Sequence, residues 1–268
     1  MDTARETYTH GHHDSVLRSH RWRTAENSAG YLLPHLREDD RLLDVGTGAG
    51  TITVDLASRL ARGAVSGVDA AAAAVAATAE LARQSEVAVG LAVADTYALP
   101  FTDDHFDVVH AHQVLQHLAD PVQALVELRR VCRPGGLVAV RDADYAAMTW
   151  YPGSTALTRW LELYRALARV NRGEPDAGRR LRRWAGAAGF TEVSSSASVW
   201  CFADPTDLGW WTGTWAERLT GSAFGRQAVE RGLSDETELV DLASGWREWA
   251  TQPGAWFSVL HGEVLARA

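Results

Sequence analysis

One segment of ten residues, Arg41–Gly50, constrains what this chain can fold into more than any other. Its sequence, RLLDVGTGAG, is a short apolar run that leads into glycines at Gly46, Gly48 and Gly50. This pattern is typical of a buried strand that turns sharply into a helix. Glycine tolerates a positive φ in such a turn, and without a Cβ it lets a ligand come close to main-chain N–H groups. The segment therefore predicts a site for a nucleotide-like ligand.

The spacing of these glycines bears on which ligand binds. A dinucleotide-binding loop reads GxGxxG, and counted from Gly46 its third glycine would fall where this chain has Thr51. The pattern is instead D-x-G-x-G-x-G, from Asp44 to Gly50. In that form the loop resembles motif I of the class I S-adenosylmethionine (SAM)-dependent methyltransferases. From this motif alone, a glycine-rich turn that binds no ligand is the alternative interpretation.

Acidic residues follow the next two predicted strands. Ala64–Asp69 reads as a second strand, and Asp69 at its end could accept hydrogen bonds from a ribose diol or cap the next helix. Val87–Ala94 reads as a third strand that ends before Asp95 and Thr96. A carboxylate at that place can accept from the amino group of adenine. Both strand ends thus favour an adenosine-containing cofactor.

The resemblance becomes specific over residues 40–145. LLDVGTGAG, GVD, ADTYALPFTDDHFDVV, HQVLQHL-x-DP and RVCRPGGLVAV occur there in order. Together they resemble the class I methyltransferases, and most closely the branch of the ubiquinone/menaquinone-biosynthesis C-methyltransferases. The resemblance implies an α/β fold, a doubly wound, seven-stranded Rossmann-like sheet of order 3-2-1-4-5-7-6 with the seventh strand antiparallel. Glu192–Trp200 and Trp256–Ala266 would be the sixth and seventh strands.

The same resemblance implies S-adenosyl-L-methionine as the cofactor. The predicted cofactor contacts are Tyr8, Asp44, Gly46, Thr47, Gly48, Gly50, Asp69, Ala70, Ala94, Asp95, Thr96, His112 and Gln113.

Two segments outside these motifs are expected to shape the acceptor site. Residues 1–39 are predicted to form an N-terminal helical lid on the SAM-binding domain of residues 40–268, with His12 and Arg23 as substrate contacts. An amphipathic helix that packs on the sheet is the alternative. Histidines are frequent in this segment, but their spacing matches no standard zinc pattern, so no metal is predicted.

A helical insertion, Ala203–Gln252, is expected before the last strand. The chain has 11 tryptophans, and large aromatic side chains can either wall an apolar pocket or fill a core. Trp210, Trp211 and Trp215 are the predicted pocket residues.

The predicted reaction is methyl transfer to a small-molecule acceptor, on carbon, nitrogen or oxygen, by direct in-line displacement. The methyl donor is already electrophilic, so the protein mainly aligns the reactants, and a base is needed only where the acceptor must lose a proton. His112 is the first candidate base and Tyr145 the second, although His112 could equally contact the cofactor or cap a helix. A nicotinamide-dependent reductase and a non-methylating protein of the same fold are the alternatives.

Composition excludes several other classes. The net charge of -8 argues against a nucleic-acid binder, and the absence of lysine excludes a Schiff-base lysine. Cys132 and Cys201 lie far apart, so neither a disulfide framework nor a zinc site is indicated. No apolar run is long enough for a membrane span, and the first 30 residues do not read as a secretory signal, so a cytoplasmic protein is expected. A homodimer remains open.

Overall fold

An eight-stranded sheet runs through the structure, a computed structural model that describes residues 22–60 and 62–268. The strands are β1 (Arg41–Val45), β2 (Ala64–Asp69), β3 (Val89–Val93), β4 (Phe106–His112), β5 (Cys132–Ala143), β6 (Thr149–Tyr151), β7 (Val193–Phe202) and β8 (Trp256–Arg267). Strands β3, β2, β1, β4 and β5 are neighbours in that order and parallel. Strand β8 is antiparallel to β5 on one side and to β7 on the other.

The predicted fold class and strand order are confirmed, with β7 and β8 as the predicted sixth and seventh strands. One strand was not predicted. The three residues of β6 pair with residues 256–258 of β8, on the edge that β5 occupies further along. One edge of β8 therefore pairs with two strands in succession, β6 and then β5.

A second feature concerns the segment Arg133–Gly136, where a Pro-Gly-Gly sequence would favour a turn. In the structure it is part of β5, and the pairing jumps from Phe106 with Cys132 to Val108 with Leu137. Gly135 has a φ of 76°, and a Cβ at Gly136 would lie 2.7 Å from the carbonyl oxygen of Asp107. The glycines therefore form a bulge inside a continuous strand.

Helices cover both faces of the sheet. They are α1 (Ala25–Ala29), α2 (Thr51–Arg59), α3 (Ala72–Gln84), α4 (Pro121–Val131), α5 (Thr155–Val170), α6 (Leu181–Ala187), α7 (Pro205–Gly221), α8 (Ala223–Glu230) and α9 (Glu236–Ala250). Asp120, Asp204 and Asp235 cap α4, α7 and α9 with their side chains. Within the described ranges, no helix is both long and apolar enough to cross a bilayer.

An aromatic core joins α5, α7, α8 and α9 to β7 and β8. Trp160 lies at its centre, with ring centroids 4.5 Å from Trp215 and 4.8 Å from Trp246. Helices α7 to α9 occupy the segment between β7 and β8, so this core packs against the end of the sheet that carries the last two strands.

Candidate active site

A cavity of about 290 Å³ opens where β1, β2, β4 and β5 reach their carboxyl ends. In open α/β sheets, ligands bind at this edge. The cavity is lined by these residues that the sequence singled out: Arg23, Asp44, Gly46, Thr47, Gly48, Asp69, Ala70, Thr96, His112, Gln113, Tyr145, Trp210, Trp211 and Trp215. Gly50, Ala94 and Asp95 do not line it. Tyr8 and His12 lie outside the described residues.

The turn after β1 requires its glycines. Gly46, Gly48 and Gly50 have φ values of 81°, 54° and 84°, a region that residues with a Cβ rarely adopt. A Cβ at Gly46 would also collide with the side chain of Val114. A Cβ at Gly50 would lie 2.7 Å from Cα of Thr78 in α3, so Gly50 permits helix packing and has no place in the cavity wall.

The side chain of Asp44 stabilises this turn through two hydrogen bonds. Its buried carboxylate accepts a hydrogen bond from the Thr53 hydroxyl at 2.6 Å and another from Nδ1 of His110 at 2.7 Å. One oxygen serves each donor, which ties β1 to the first turn of α2 and to β4. The side chain is therefore committed to protein partners, although it also borders the cavity.

Asp69 is arranged differently at the end of β2. Its two oxygens accept from the main-chain N–H of Gly48 at 3.0 Å and of Ala71 at 2.9 Å. Each carboxylate oxygen keeps a second lone pair for a ligand. The two roles weighed from the sequence, helix capping and ligand binding, are thus compatible in one side chain.

The side chain of Asp95 binds the main chain of its own loop, which follows β3. Its exposed carboxylate accepts from the main-chain N–H of Tyr97 at 2.9 Å. Its neighbour Thr96 is the residue of this loop that reaches the cavity. The carboxylate therefore shapes the loop that brings Thr96 to the site.

His112 is buried at the end of β4, with 5% of its surface exposed. Within the described part of the chain, its Nε2 has no hydrogen-bond partner. Burial first, and then the positive charges of Arg141 and Arg23, hold the pKa of His112 well below its usual 6.5. The imidazole is therefore neutral at neutral pH.

Gln113 links the N-terminal segment to the last strand. Its Oε1 accepts from Nη2 of Arg23 at 2.7 Å, and its Nε2 donates to Nε2 of His261 at 2.8 Å. His261 lies 148 residues further along the chain, and its Nδ1 donates to the carbonyl oxygen of Val259 at 3.2 Å. The sequence predicted Gln113 as a cofactor contact, whereas both ends of its amide bind protein groups.

The cavity is also lined by a group of tryptophans, the tryptophan wall, which consists of Trp22, Trp200, Trp210, Trp211 and Trp215. Trp22 packs against Trp200 and Trp210, with ring centroids 5.2 Å and 5.7 Å away. Tyr145 is held by stacking on Tyr164 at 4.0 Å. Sequence reasoning missed these further lining residues: Trp22, Met148, Trp200 and Arg218. The abundance of tryptophan was the available signal, but it could not select Trp22 and Trp200 because they lie 178 positions apart.

The lining fits the nucleoside ligand that the sequence predicts. Asp69 has acceptor capacity to spare, and Gly46 and Gly48 line the cavity with main chain that no side chain covers. Within residues 22–60 and 62–268, Thr47 Oγ1, His112 Nε2 and Trp211 Nε1 are buried polar atoms without hydrogen-bond partners. Buried polar atoms are normally satisfied, so these three are suited to a polar ligand. The same ranges hold no cluster of three or more His, Cys, Asp or Glu side chains that could bind a metal ion.

Comparisons with known proteins show the family to which this chain belongs. Residues 43–140 match the family described as "Methyltransferase domain". The chain is 34% identical to an uncharacterized methyltransferase of Schizosaccharomyces pombe, over 96% of this chain and 95% of that protein. It is 34% identical to a ubiquinone/menaquinone biosynthesis C-methyltransferase of Bdellovibrio bacteriovorus, over 38% of this chain and 44% of that protein.

The fold is also similar to a solved structure, phosphoethanolamine N-methyltransferase 2 of Haemonchus contortus in complex with S-adenosylhomocysteine. The TM-score is 0.55 at 20% identity, over 87% of this chain and 49% of that chain. This likeness concerns the fold, whereas the relative in Schizosaccharomyces pombe, which matches nearly the whole length, shows the family. The chain belongs to the class I SAM-dependent methyltransferases, and it is an enzyme whose cofactor is S-adenosyl-L-methionine.

Proposed function

We propose that this enzyme methylates a small-molecule acceptor that binds between the glycine turn and the tryptophan wall. One observation carries the proposal: a single cavity is lined both by the motif I turn and by Trp22, Trp200, Trp210, Trp211 and Trp215. Ligand pockets for small molecules are concave and mainly apolar, with a few placed polar groups. This lining has that composition.

The cofactor would occupy the polar end of the cavity. Asp69 is suited to bind the ribose hydroxyls, and Ala70 and Thr96 border the space beside it. The main chain of Gly46, Thr47 and Gly48 would face the amino-acid part. S-adenosylmethionine supplies a methyl group on a positively charged sulfonium. Of the remaining predicted cofactor contacts, Gly50, Ala94 and Asp95 lie outside the cavity lining, and Tyr8 lies outside the described residues.

The protein's own contribution is alignment and exclusion of water. The indole rings would bury the acceptor and hold its reacting atom in line with the methyl group, for direct displacement. Arg23, Trp210, Trp211 and Trp215 remain the proposed acceptor contacts, together with His12. Carbon, nitrogen and oxygen are all chemically open as the methylated atom.

The test is transfer of an isotopically labelled methyl group from SAM to a metabolite extract. We expect label in a product of low molecular mass, with release of S-adenosylhomocysteine. A whole-cell extract is assayed in parallel, and label only in its protein or nucleic acid would contradict the proposed acceptor class. Calorimetry with SAM, S-adenosylhomocysteine and NADPH is the companion measurement, and tight binding of SAM without any labelled product would favour a non-methylating role.

A further inference from the structure

The two ring nitrogens of His112 have different surroundings. Nδ1 lies 3.5 Å from Nη1 of Arg141, whereas Nε2, at the far end of the ring from the backbone, has no partner among the described residues. His112 also lines the cavity. One nitrogen is therefore in contact with the protein interior, and the other is left for a ligand.

Arg141 determines which nitrogen carries the proton. A guanidinium has only donors, so Nδ1 has to offer its lone pair to Arg141. Arg141 is itself fixed, because its Nε lies 3.2 Å from Oε1 of Glu263 and its Nη2 donates to the Ser198 hydroxyl at 3.0 Å. In the neutral imidazole the proton then sits on Nε2.

The other groups around the ring agree with this arrangement. Arg23 from the N-terminal segment and Arg141 from β5 oppose an imidazolium, and so do His261 from β8 and His110 from β4. His110 is bonded to Asp44, and His261 is bonded to Gln113 and Val259. Neither histidine is thus a competing partner for His112.

We propose that His112 is a hydrogen-bond donor to the acceptor, whose Nε2–H binds a carbonyl, enolate or phenolate oxygen. The inference rests on the proposed methylation of a small molecule and deepens it by naming an oxygen-bearing acceptor. The positive charges of Arg23 and Arg141 favour a negative oxygen at this place. In this tautomer Nε2 has no lone pair with which to take a proton, so the proposal differs from the general base predicted from the sequence.

Binding of two probes tests the assignment without knowledge of the natural acceptor. The probes are 4-nitrophenolate, at a pH at which it is ionised, and 4-nitrotoluene, which has a methyl group in place of the phenolate oxygen and the same nitro group. Their binding to the complex with S-adenosylhomocysteine is measured by calorimetry. We expect wild type to prefer 4-nitrophenolate, His112→Gln to keep that preference, and His112→Leu to lose it by about tenfold or more.

Turnover gives the second readout once the labelling screen has provided an acceptor. Removal of one donor that stabilises an oxygen lowers turnover by about a hundredfold, which is the expectation for His112→Leu and His112→Ala. The side-chain amide of Gln donates a hydrogen bond but does not titrate, so His112→Gln should keep most of the wild-type turnover. His105→Leu, at an exposed histidine outside the cavity, is the matched control, and SAM affinity is measured in all four variants so that a loss of turnover is separated from a loss of cofactor binding.

Three results would overturn the assignment: no preference of wild type for 4-nitrophenolate, an unchanged preference in His112→Leu, or a His112→Gln variant that binds SAM but is as inactive as His112→Leu. Failure of the proposed function has a different signature. In that case no small molecule receives label, while the His112-dependent preference for 4-nitrophenolate persists.

Discussion

A missing Cβ at Gly46 lets the turn after β1 pass the side chain of Val114. We predict that Gly46→Ala lowers the affinity for SAM by about tenfold or more, measured by calorimetry. A positive φ costs a residue with a Cβ about 1–2 kcal/mol, and the collision with Val114 displaces the loop as well.

Gly135→Ala is the matched control for this prediction. Gly135 has a similar φ of 76°, but a Cβ there would meet nothing within 4 Å. This variant should lose some stability to urea and keep its affinity for SAM. Equal affinities in the two variants would mean that contact with Val114 does not shape the site.

The buried ion pair of Arg141 and Glu263 gives a second prediction at this scale. Their side chains are 1% and 6% exposed, and Glu263 also accepts from Ser196 and Ser198. Glu263→Gln leaves the guanidinium buried without its counter-charge, so unfolding in urea should require about 3–5 kcal/mol less free energy. Glu38→Gln, in the exposed pair with Arg62, should change it by less than about 1 kcal/mol.

Single residues were predictable where local chemistry decides their role. The glycines after β1 were found because a turn with positive φ favours a residue without a Cβ, and Asp69 because a carboxylate at the end of a strand can accept hydrogen bonds from a ligand or the next helix. The partners of Gln113 were not, because Arg23 and His261 come from opposite ends of the chain and meet only in the folded sheet.

Among the elements, strands with an apolar pattern of their own were predictable and strands made by tertiary pairing were not. The bounds predicted for β2 agree with those in the structure. Strand β6 has three residues and exists because β8 extends beyond β5 and offers a free edge. Nothing in the local sequence Thr149–Tyr151 signals that edge.

At the element scale, Gln113 anchors the segment that carries α1. We predict that Gln113→Leu speeds amide hydrogen exchange in residues 22–36 by about tenfold, because a charge-assisted hydrogen bond to Arg23 is lost. Exchange in β1 to β3 should stay as in wild type. Gln84→Leu, at an exposed glutamine of α3 that donates to Glu80, is the control. An unchanged exchange pattern in Gln113→Leu would show that other contacts hold this segment.

The free energy of unfolding of the whole molecule should depend on pH through one buried carboxyl group, that of Asp142. Burial raises the pKa of Asp142 from 3.8 to about 8, and its side chain is fully buried. Between these values the group is ionised when the chain is unfolded and protonated when it is folded. Its contribution therefore weakens the fold as the pH rises from about 4 to about 8.

Asp142→Asn removes this dependence and keeps an oxygen for the N–H of Gln116. We predict that the unfolding free energy of the variant, relative to wild type, increases from pH 5 to pH 8 by up to about 1.4 kcal/mol per unit. Urea unfolding at several pH values measures it. Asp39→Asn, at an exposed carboxylate, should show the same pH dependence of the unfolding free energy as wild type. Parallel curves for Asp142→Asn and wild type would contradict the assignment.

The tryptophans form a continuous series from the aromatic core to the cavity wall. Trp246, Trp160 and Trp215 are ring neighbours in the core, and Trp211 and Trp210 continue the series to Trp22. Excitation energy passes readily between indoles at such short separations, so light absorbed deep in the protein can reach the wall. An acceptor that quenches emission there would lower the fluorescence of this whole series of indoles, and unlabelled compounds could be ranked by that intrinsic signal.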